Sequence, residues 1–442
     1  MNDDGYRAAQ PKDELDTRTN LLVLALLALL VGAAAGLIGA FFRLSLEWAD
    51  HLRDEWLAWA RGGTFAGFLL VVGVCAGAVA IATWLVRRFS PHASGSGIPH
   101  VEAVLRGELA PAPPGLIVVK FIGGWLAIGF GLALGREGPS VQMGANVANL
   151  IGKLFRRTWP DCRVLLAAGA GAGLATAFNS PIAGAVFVLE ELVRKFELRI
   201  AIAALGASAA AISVARLFLG EGPDFQVQSF ASAGAPTMPL FITLGALAGL
   251  LGVLYNRSLL AMLAVADSLS RFPLELRAAV IGGSVGALGF FAPNVVGGGD
   301  PLTQSALVGA PALTILPLIL ILRFGLGPIS YAAGAPGGLF APLLVLGAQF
   351  GLLFGMIARM AFPNTDIVPE ACAVVGMAAL FTAIVRAPLT GIVLVIEMTA
   401  AFVLLLPMLG ACFGAMLVTS LLRNDPIYDS LRERTLRNPS RR

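Results

Sequence analysis

A glutamate and an arginine stand side by side in GLALGREGPS (residues 131–140), inside a stretch that is otherwise apolar. A charged side chain at the centre of a membrane helix costs about 2.5–3.5 kcal/mol on insertion scales, which makes a carboxylate kept there a functional candidate. Gly135, Gly138 and Pro139 bracket the pair. Proline is tolerated in the first helical turn, and glycine permits close backbone approach. The stretch therefore reads as a helix that starts inside the membrane, its free backbone N–H groups facing a cavity. Such a start attracts anions through its amides and dipole. GGLFAP (337–342) is built the same way, and GSGIP (95–99) is a third start that adds the hydroxyl of Ser96. Among anion-seeking amides, Glu137 is itself an anion able to occupy the site, and protonation would release it. The chemistry expected is a proton-linked gate on an anion site. A plain ion pair between Glu137 and Arg136 is the alternative.

Broken backbone at that depth is tolerated only where it lines a cavity or is buried in protein, so helices must surround these starts. The chain supplies them. It is 57% hydrophobic and 13% charged over 442 residues, whereas soluble domains carry about a quarter charged residues. Uncharged runs cover Leu21–Phe42, Gly62–Val86, Val164–Leu189, Phe225–Asn256, Phe324–Ala358 and Met398–Leu422. Each exceeds the roughly 20 residues that cross a hydrocarbon core. The fold expected is all-α and polytopic. The first run follows a charged segment with no obvious cleavage site, and reads as a membrane helix instead of a removed signal.

Net charge is only +4 and points to no nucleic acid; its placement matters more. Lys153, Arg156, Arg157 and Arg163 cluster between apolar runs, as do Arg87 and Arg88. Arg423, Arg432, Arg434, Arg437, Arg441 and Arg442 crowd the tail. Positive segments stay on the cytoplasmic side, which puts the C-terminus there, and the N-terminal segment is assigned to the same side. Cys75, Cys162, Cys372 and Cys412 show no metal or redox spacing, and neither do His51, His92 and His100. With no Gly-x-Ser-x-Gly elbow either, no enzyme, metal or cofactor is expected.

Shifting the chain on itself by about 205 residues aligns GREGPSVQMGA (135–145) with GLFAPLLVLGA (338–348), and a shift of 207 aligns SPIAGAVFVLE (180–190) with APLTGIVLVIE (387–397). Two blocks in one order describe a repeated transporter whose inverted halves meet at the midplane. The expected layout is an N-terminal segment (1–19), a first half (20–220), a connecting loop (221–234), a second half (235–423) and a tail (424–442) with no regulatory domain.

Taken in order, GSGIP, GREGP, GGLFAP and Tyr428 resemble the signatures of the CLC family of chloride channels and chloride/proton antiporters. FNSPIAG followed by Glu190 and Glu191, and RAPLTG (386–391), match as well. The resemblance implies a homodimer in the inner membrane, with one chloride pathway per subunit. It implies that Ser96 and Tyr428 hold a central chloride with their hydroxyls, joined by the amides of Leu339 and Phe340. The amides at Arg136, Glu137 and Gly138 would line an outer site, with Glu137 as gate. It puts inner proton transfer on Glu191, the feature of exchangers as opposed to passive channels of the same fold. Glu190 aligns with Glu397 and so reads as shared architecture, whereas Glu191 aligns with Met398. A solvated helix end is the plainer reading of both, since Arg194 and Lys195 follow. Serine in GSGIP matches chloride-preferring members, where nitrate-preferring ones carry proline, and GREGP argues against the fluoride branch. His100 and Arg106 depart from the acids of close bacterial relatives. Glu102 remains, and with Glu190 forms an accessory proton route. Chloride, protons and membrane lipid are the partners implied; an unrelated broken-helix carboxylate or amino-acid transporter would need these matches to be accidental.

Overall fold

Apolar runs in a bilayer become helices because their backbone has no water to bond. The computed structural model describes residues 11–63, 65–230, 237–363 and 366–437, with side chains from residue 20 onward. Parts of the expected N-terminal segment, connecting loop and tail, including Arg441 and Arg442, lie outside the described residues. The described residues form seventeen α-helices and no strand. Eight helices are long and apolar enough to cross a membrane.

The first half comprises α1 (Pro11–Arg61), α2 (Phe65–Phe89), α3 (Ile98–Leu105), α4 (Gly115–Gly129), α5 (Glu137–Leu154), α6 (Trp159–Phe178), α7 (Pro181–Phe187) and α8 (Leu198–Leu219). The second comprises α9 (Met238–Ser268), α10 (Leu274–Phe291), α11 (Asp300–Leu307), α12 (Leu316–Ala332), α13 (Phe340–Ala361), α14 (Pro369–Val385), α15 (Pro388–Thr399) and α16 (Leu405–Leu421). A last helix, α17 (Ile427–Arg437), follows. Packing repeats with the order: α5 lies on α6 as α13 lies on α14, and α1 lies on α8 as α9 lies on α16.

Local detail repeats too. A 3₁₀ turn (Pro91–Ala93, Pro293–Val295) leads to a left-handed glycine cap (Gly97, φ 86°; Gly299, φ 95°) and then to a helix of eight residues. Asn179 and Arg386, both left-handed, end α6 and α14, and a proline two residues later opens the next helix. The two half-helices then cap each other. Glu397 of α15 accepts from the amides of Ile182 (3.0 Å) and Ala183 (2.8 Å). Glu190, just past α7, accepts from Leu389 (3.0 Å) and Thr390 (2.7 Å). This reciprocity is what a two-fold relation between the halves produces.

Several uncharged runs divide differently from their hydropathy. Val164–Leu189 breaks at Asn179, where no L-residue continues a helix in the left-handed region. Phe324–Ala358 breaks between Ala332 and Phe340. Within Phe225–Asn256 the helix begins at Met238, residues 225–230 carry no regular structure, and Phe225 N–H bonds the Met398 carbonyl at 2.9 Å. The first run continues past Phe42 to Arg61, carrying its charges in pairs such as Arg43–Glu47 (3.0 Å) and Asp50–Arg53 (2.5 Å).

Candidate functional site

Three helix starts meet because their leading loops pair backbone to backbone. Gly135 and Gly338 exchange two hydrogen bonds, at 2.9 and 2.7 Å. Gly95 donates to Ala335 at 3.1 Å and accepts from Gly337 at 3.0 Å. GSGIP, GREGP and GGLFAP are thereby stitched together, and α3, α5 and α13 begin beside one another.

Glu137 fills the junction. It is fully buried, and its Oε1 accepts from the Phe340 amide at 2.6 Å while Oε2 has no partner. A β-carbon on either Gly135 or Gly338 would collide with this carboxylate, which is why both loops need glycine here. Arg136 turns the other way. Its guanidinium bonds the Ala177 carbonyl (2.9 Å) and Asp300 (3.1 Å), and lies 3.7 Å from Asp224. The plain Glu137–Arg136 pair is thus not formed.

Two hydroxyls approach the same junction. Ser96 Oγ lies where a β-carbon on Gly138 would meet it at 2.5 Å, at the opening of α5. Tyr428 stands in the first turn of α17, fully buried, its ring 5.8 Å from that of Phe340. Neither hydroxyl has a hydrogen-bond partner. Buried donors without acceptors cost about 1–3 kcal/mol each, a cost that a dehydrated anion between them would remove. Phe340 is held among Phe178, Phe187 and Phe381, with centroids 6.4, 5.8 and 4.6 Å away, which fixes its amide. Leu339 caps α13 and is fully buried.

Glu191 lies apart from this junction, on a π turn (Val188–Leu192) that continues α7. Such turns recur at functional sites. Its side chain is buried, not a solvated helix end, and pairs with Arg194 at 3.2 Å. A groove of about 610 Å³ beside it is lined by Glu190, Glu191, Arg194, Lys195 and Arg386. A separate cavity of about 90 Å³ lies under GSGIP, lined by His92, His100, Arg277, Tyr331 and Arg434. The two imidazoles meet there with centroids 4.6 Å apart and planes tilted by 37°. Glu102 is fully buried, with Arg432 Nε its closest cation at 4.0 Å. Arg106 reaches Asp429 at 3.6 Å.

Three contributors escaped the motif reading. Lys120, buried in α4, donates to the carbonyls of Ala93 (3.0 Å) and Gly95 (2.7 Å), anchoring the loop that carries Ser96. Arg323 of α12 does the same in the other half, bonding Val295 (3.0 Å), Gly297 (2.8 Å) and Gly298 (3.0 Å). A lone cation in each of two matching apolar segments was the available signal. Tyr331 accepts from the Ser96 amide at 3.3 Å, and no motif marked it.

The family model described as voltage gated chloride channel matches residues 77–420. An H(+)/Cl(−) exchange transporter ClcA of Vibrio cholerae serotype O1 (strain M66-2) is 40% identical over 446 residues, spanning 98% of this chain and 94% of its own. A protein of the same description from Klebsiella pneumoniae (strain 342) is 40% identical over 435 residues, spanning 95% and 90%. Among solved structures, a slow cyanobacterial Cl−/H+ antiporter superposes with a TM-score of 0.89 at 33% identity, covering 94% of this chain and 98% of that one.

Proposed function

The chain belongs to the voltage-gated chloride channel family, the CLC proteins, and from that premise we propose that it exchanges chloride for protons across the cell's inner membrane. The observation that carries this reading is the Glu137 carboxylate resting on the Phe340 amide among helix starts that favour anions. Protonated, Glu137 loses its claim on those amides and leaves them to chloride; ionised, it returns. Each exchange of occupant moves a proton one way and an anion the other.

The central chloride takes the hydroxyls of Ser96 and Tyr428 and the amides of Leu339 and Phe340. The amides at Arg136, Glu137 and Gly138 form the outer site. Anions approach through the cavity under GSGIP, where Arg277 and Arg434 outnumber the one carboxylate, Asp267, and raise the local potential. The proton needs its own way in, because buried carboxylates carry it and the hydroxyls and amides of the anion site do not. The groove at Glu191 shares no lining residue with that cavity and supplies one. Glu191 then receives the proton, with Glu102 and Glu190 as accessory carboxylates on its approach. Both termini face the cytoplasm, and two copies form a homodimer with a pathway in each.

The decisive experiment imposes a chloride gradient on vesicles containing the purified protein and records pH and chloride together. Protons driven uphill by chloride establish exchange. Chloride flow with no proton movement would make the protein a channel.

A further inference from the structure

We propose that Arg194 and Asp429 form a clasp coupling the proton state of Glu191 to the seat of Tyr428, a role that rests on Glu191 being the inner proton acceptor. Arg194 adopts a left-handed backbone (φ 54°), unusual for a non-glycine residue, which curls it back over the π turn. Its Nε donates to the Glu191 carbonyl at 3.2 Å, and its Nη2 to Glu191 Oε1 at 3.2 Å. The remaining nitrogen, Nη1, donates to Asp429 Oδ2 at 2.7 Å. Asp429 is the neighbour of Tyr428 in the first turn of α17. One guanidinium therefore spans the proton carboxylate and the helix that presents an anion-binding hydroxyl.

The other side of Asp429 is tied to α3, the helix behind Ser96. Its Oδ1 lies 3.4 Å from Arg432 and 3.6 Å from Arg106. Arg432 in turn bonds Glu108 at 3.0 Å and faces Glu102 at 4.0 Å. The charges around Glu191 are thus Arg194 beside it, Asp429 on α17, Glu102 from α3, and Lys195 and Arg386 lining the same groove. Glu190 is engaged with the start of α15.

The consequence follows from sharing. With Glu191 ionised, Arg194 divides its charge between two carboxylates. Once Glu191 is protonated, only Asp429 attracts it strongly, and its pull on the first turn of α17 rises. Proton loading then reaches Tyr428 through a fixed chain of charge-assisted bonds, which are about twice as strong as neutral ones. Neither residue touches the anion; both act by positioning Tyr428.

Asp429→Asn tests this, because it cuts the tie to α17 while leaving the Glu191–Arg194 pair in place. Paired chloride and pH electrodes on reconstituted vesicles give protons moved per chloride. The ratio is expected to fall about five-fold or more while chloride flux persists, the scale of an ordinary coupling between sites. Asp429→Glu should restore it. Arg194→Gln serves as a second variant should Asp429→Asn fail to fold, with the same expected loss. A wild-type ratio in the folded variants overturns the clasp. Equal loss of both fluxes, unrescued by Asp429→Glu, overturns it too, since it marks mere structural damage. Glu191→Gln run alongside separates the failures. Normal pumping there removes Glu191 itself, whereas pumping abolished by Glu191→Gln but untouched by Asp429→Asn removes only the clasp.

Discussion

Glu137 can gate only by competing with an anion for the same donors. Its Oε1 already holds the Phe340 amide, and the carboxylate lies against Gly135 and Gly338, where a β-carbon would meet it. Removing the carboxylate should therefore leave the anion route open while ending proton movement. Glu137→Ala and Glu137→Gln are both expected to pass chloride but fail to drive protons uphill in vesicles. Chloride-driven proton flux in either variant would take Glu137 out of the mechanism. Ser96 is the second residue whose chemistry is exposed to test. Ser96→Pro removes the hydroxyl that the proposed function offers to a desolvated anion, and also the N–H that donates to Tyr331. Chloride gains more from that hydroxyl than the larger, more easily dehydrated nitrate does. The variant should lose part of its preference for chloride over nitrate in a competitive flux assay. An unchanged preference would exclude Ser96 from coordination.

At the scale of elements, the reciprocal caps at α7 and α15 decide where two broken helices begin. Each carboxylate satisfies two backbone amides that would otherwise lie exposed at a half-helix start. Glu397→Ala orphans the amides of exposed Ile182 and buried Ala183, and a buried donor left unpaired costs about 1–3 kcal/mol. A melting temperature lower by several degrees in detergent is expected, with chloride-to-proton coupling unchanged. Uncoupling without destabilisation would show that Glu397 does more than cap. This pairing was partly legible: the repeat aligned Glu190 with Glu397, and each caps the helix start of the other half. The helix starts were legible as well, because glycine and proline in an apolar run have few other uses. What stayed hidden has a physical reason in each case. The π turn under Glu191 widens each hydrogen-bonded loop by one residue relative to an α-turn and leaves no residue signature. Lys120 and Arg323 looked like isolated charges because their partners are loop carbonyls, which any sequence supplies. Tyr428 was found only through its family pattern, since a tyrosine in a basic tail gives no hint that α17 buries it completely.

Across the whole molecule, charge sorts the two faces. Arg157 and Arg199 share Asp161, Arg194 joins Asp429, and Arg434 joins Asp267, all on the face that carries α17. The opposite mouth gathers acids: Asp224 and Asp300 around Arg136, and Glu47 beside Arg43. Membrane insertion keeps lysine and arginine on the cytoplasmic side, and the proposed topology puts the α17 face there. The path of the chain agrees, since α6 leaves the Arg157 end, α7 returns to Glu191, and α8 leaves again toward Glu221. Single cysteines can test this without altering the native ones, because Cys75, Cys162, Cys372 and Cys412 are all buried. Arg437, with a side chain 82% exposed, lies at the end of α17. Glu221 is exposed beyond α8 on the other face. In intact spheroplasts a membrane-impermeant maleimide should label Glu221→Cys at once and Arg437→Cys only after permeabilisation. The reverse pattern would invert the topology, and with it the assignment of Glu191 to the inner side and of Arg136 to the outer mouth. Equal labelling of both in intact cells would mean that the chain inserts in both orientations. In that case the basic clusters are too evenly balanced to set direction, and the proton route could be assigned no fixed side.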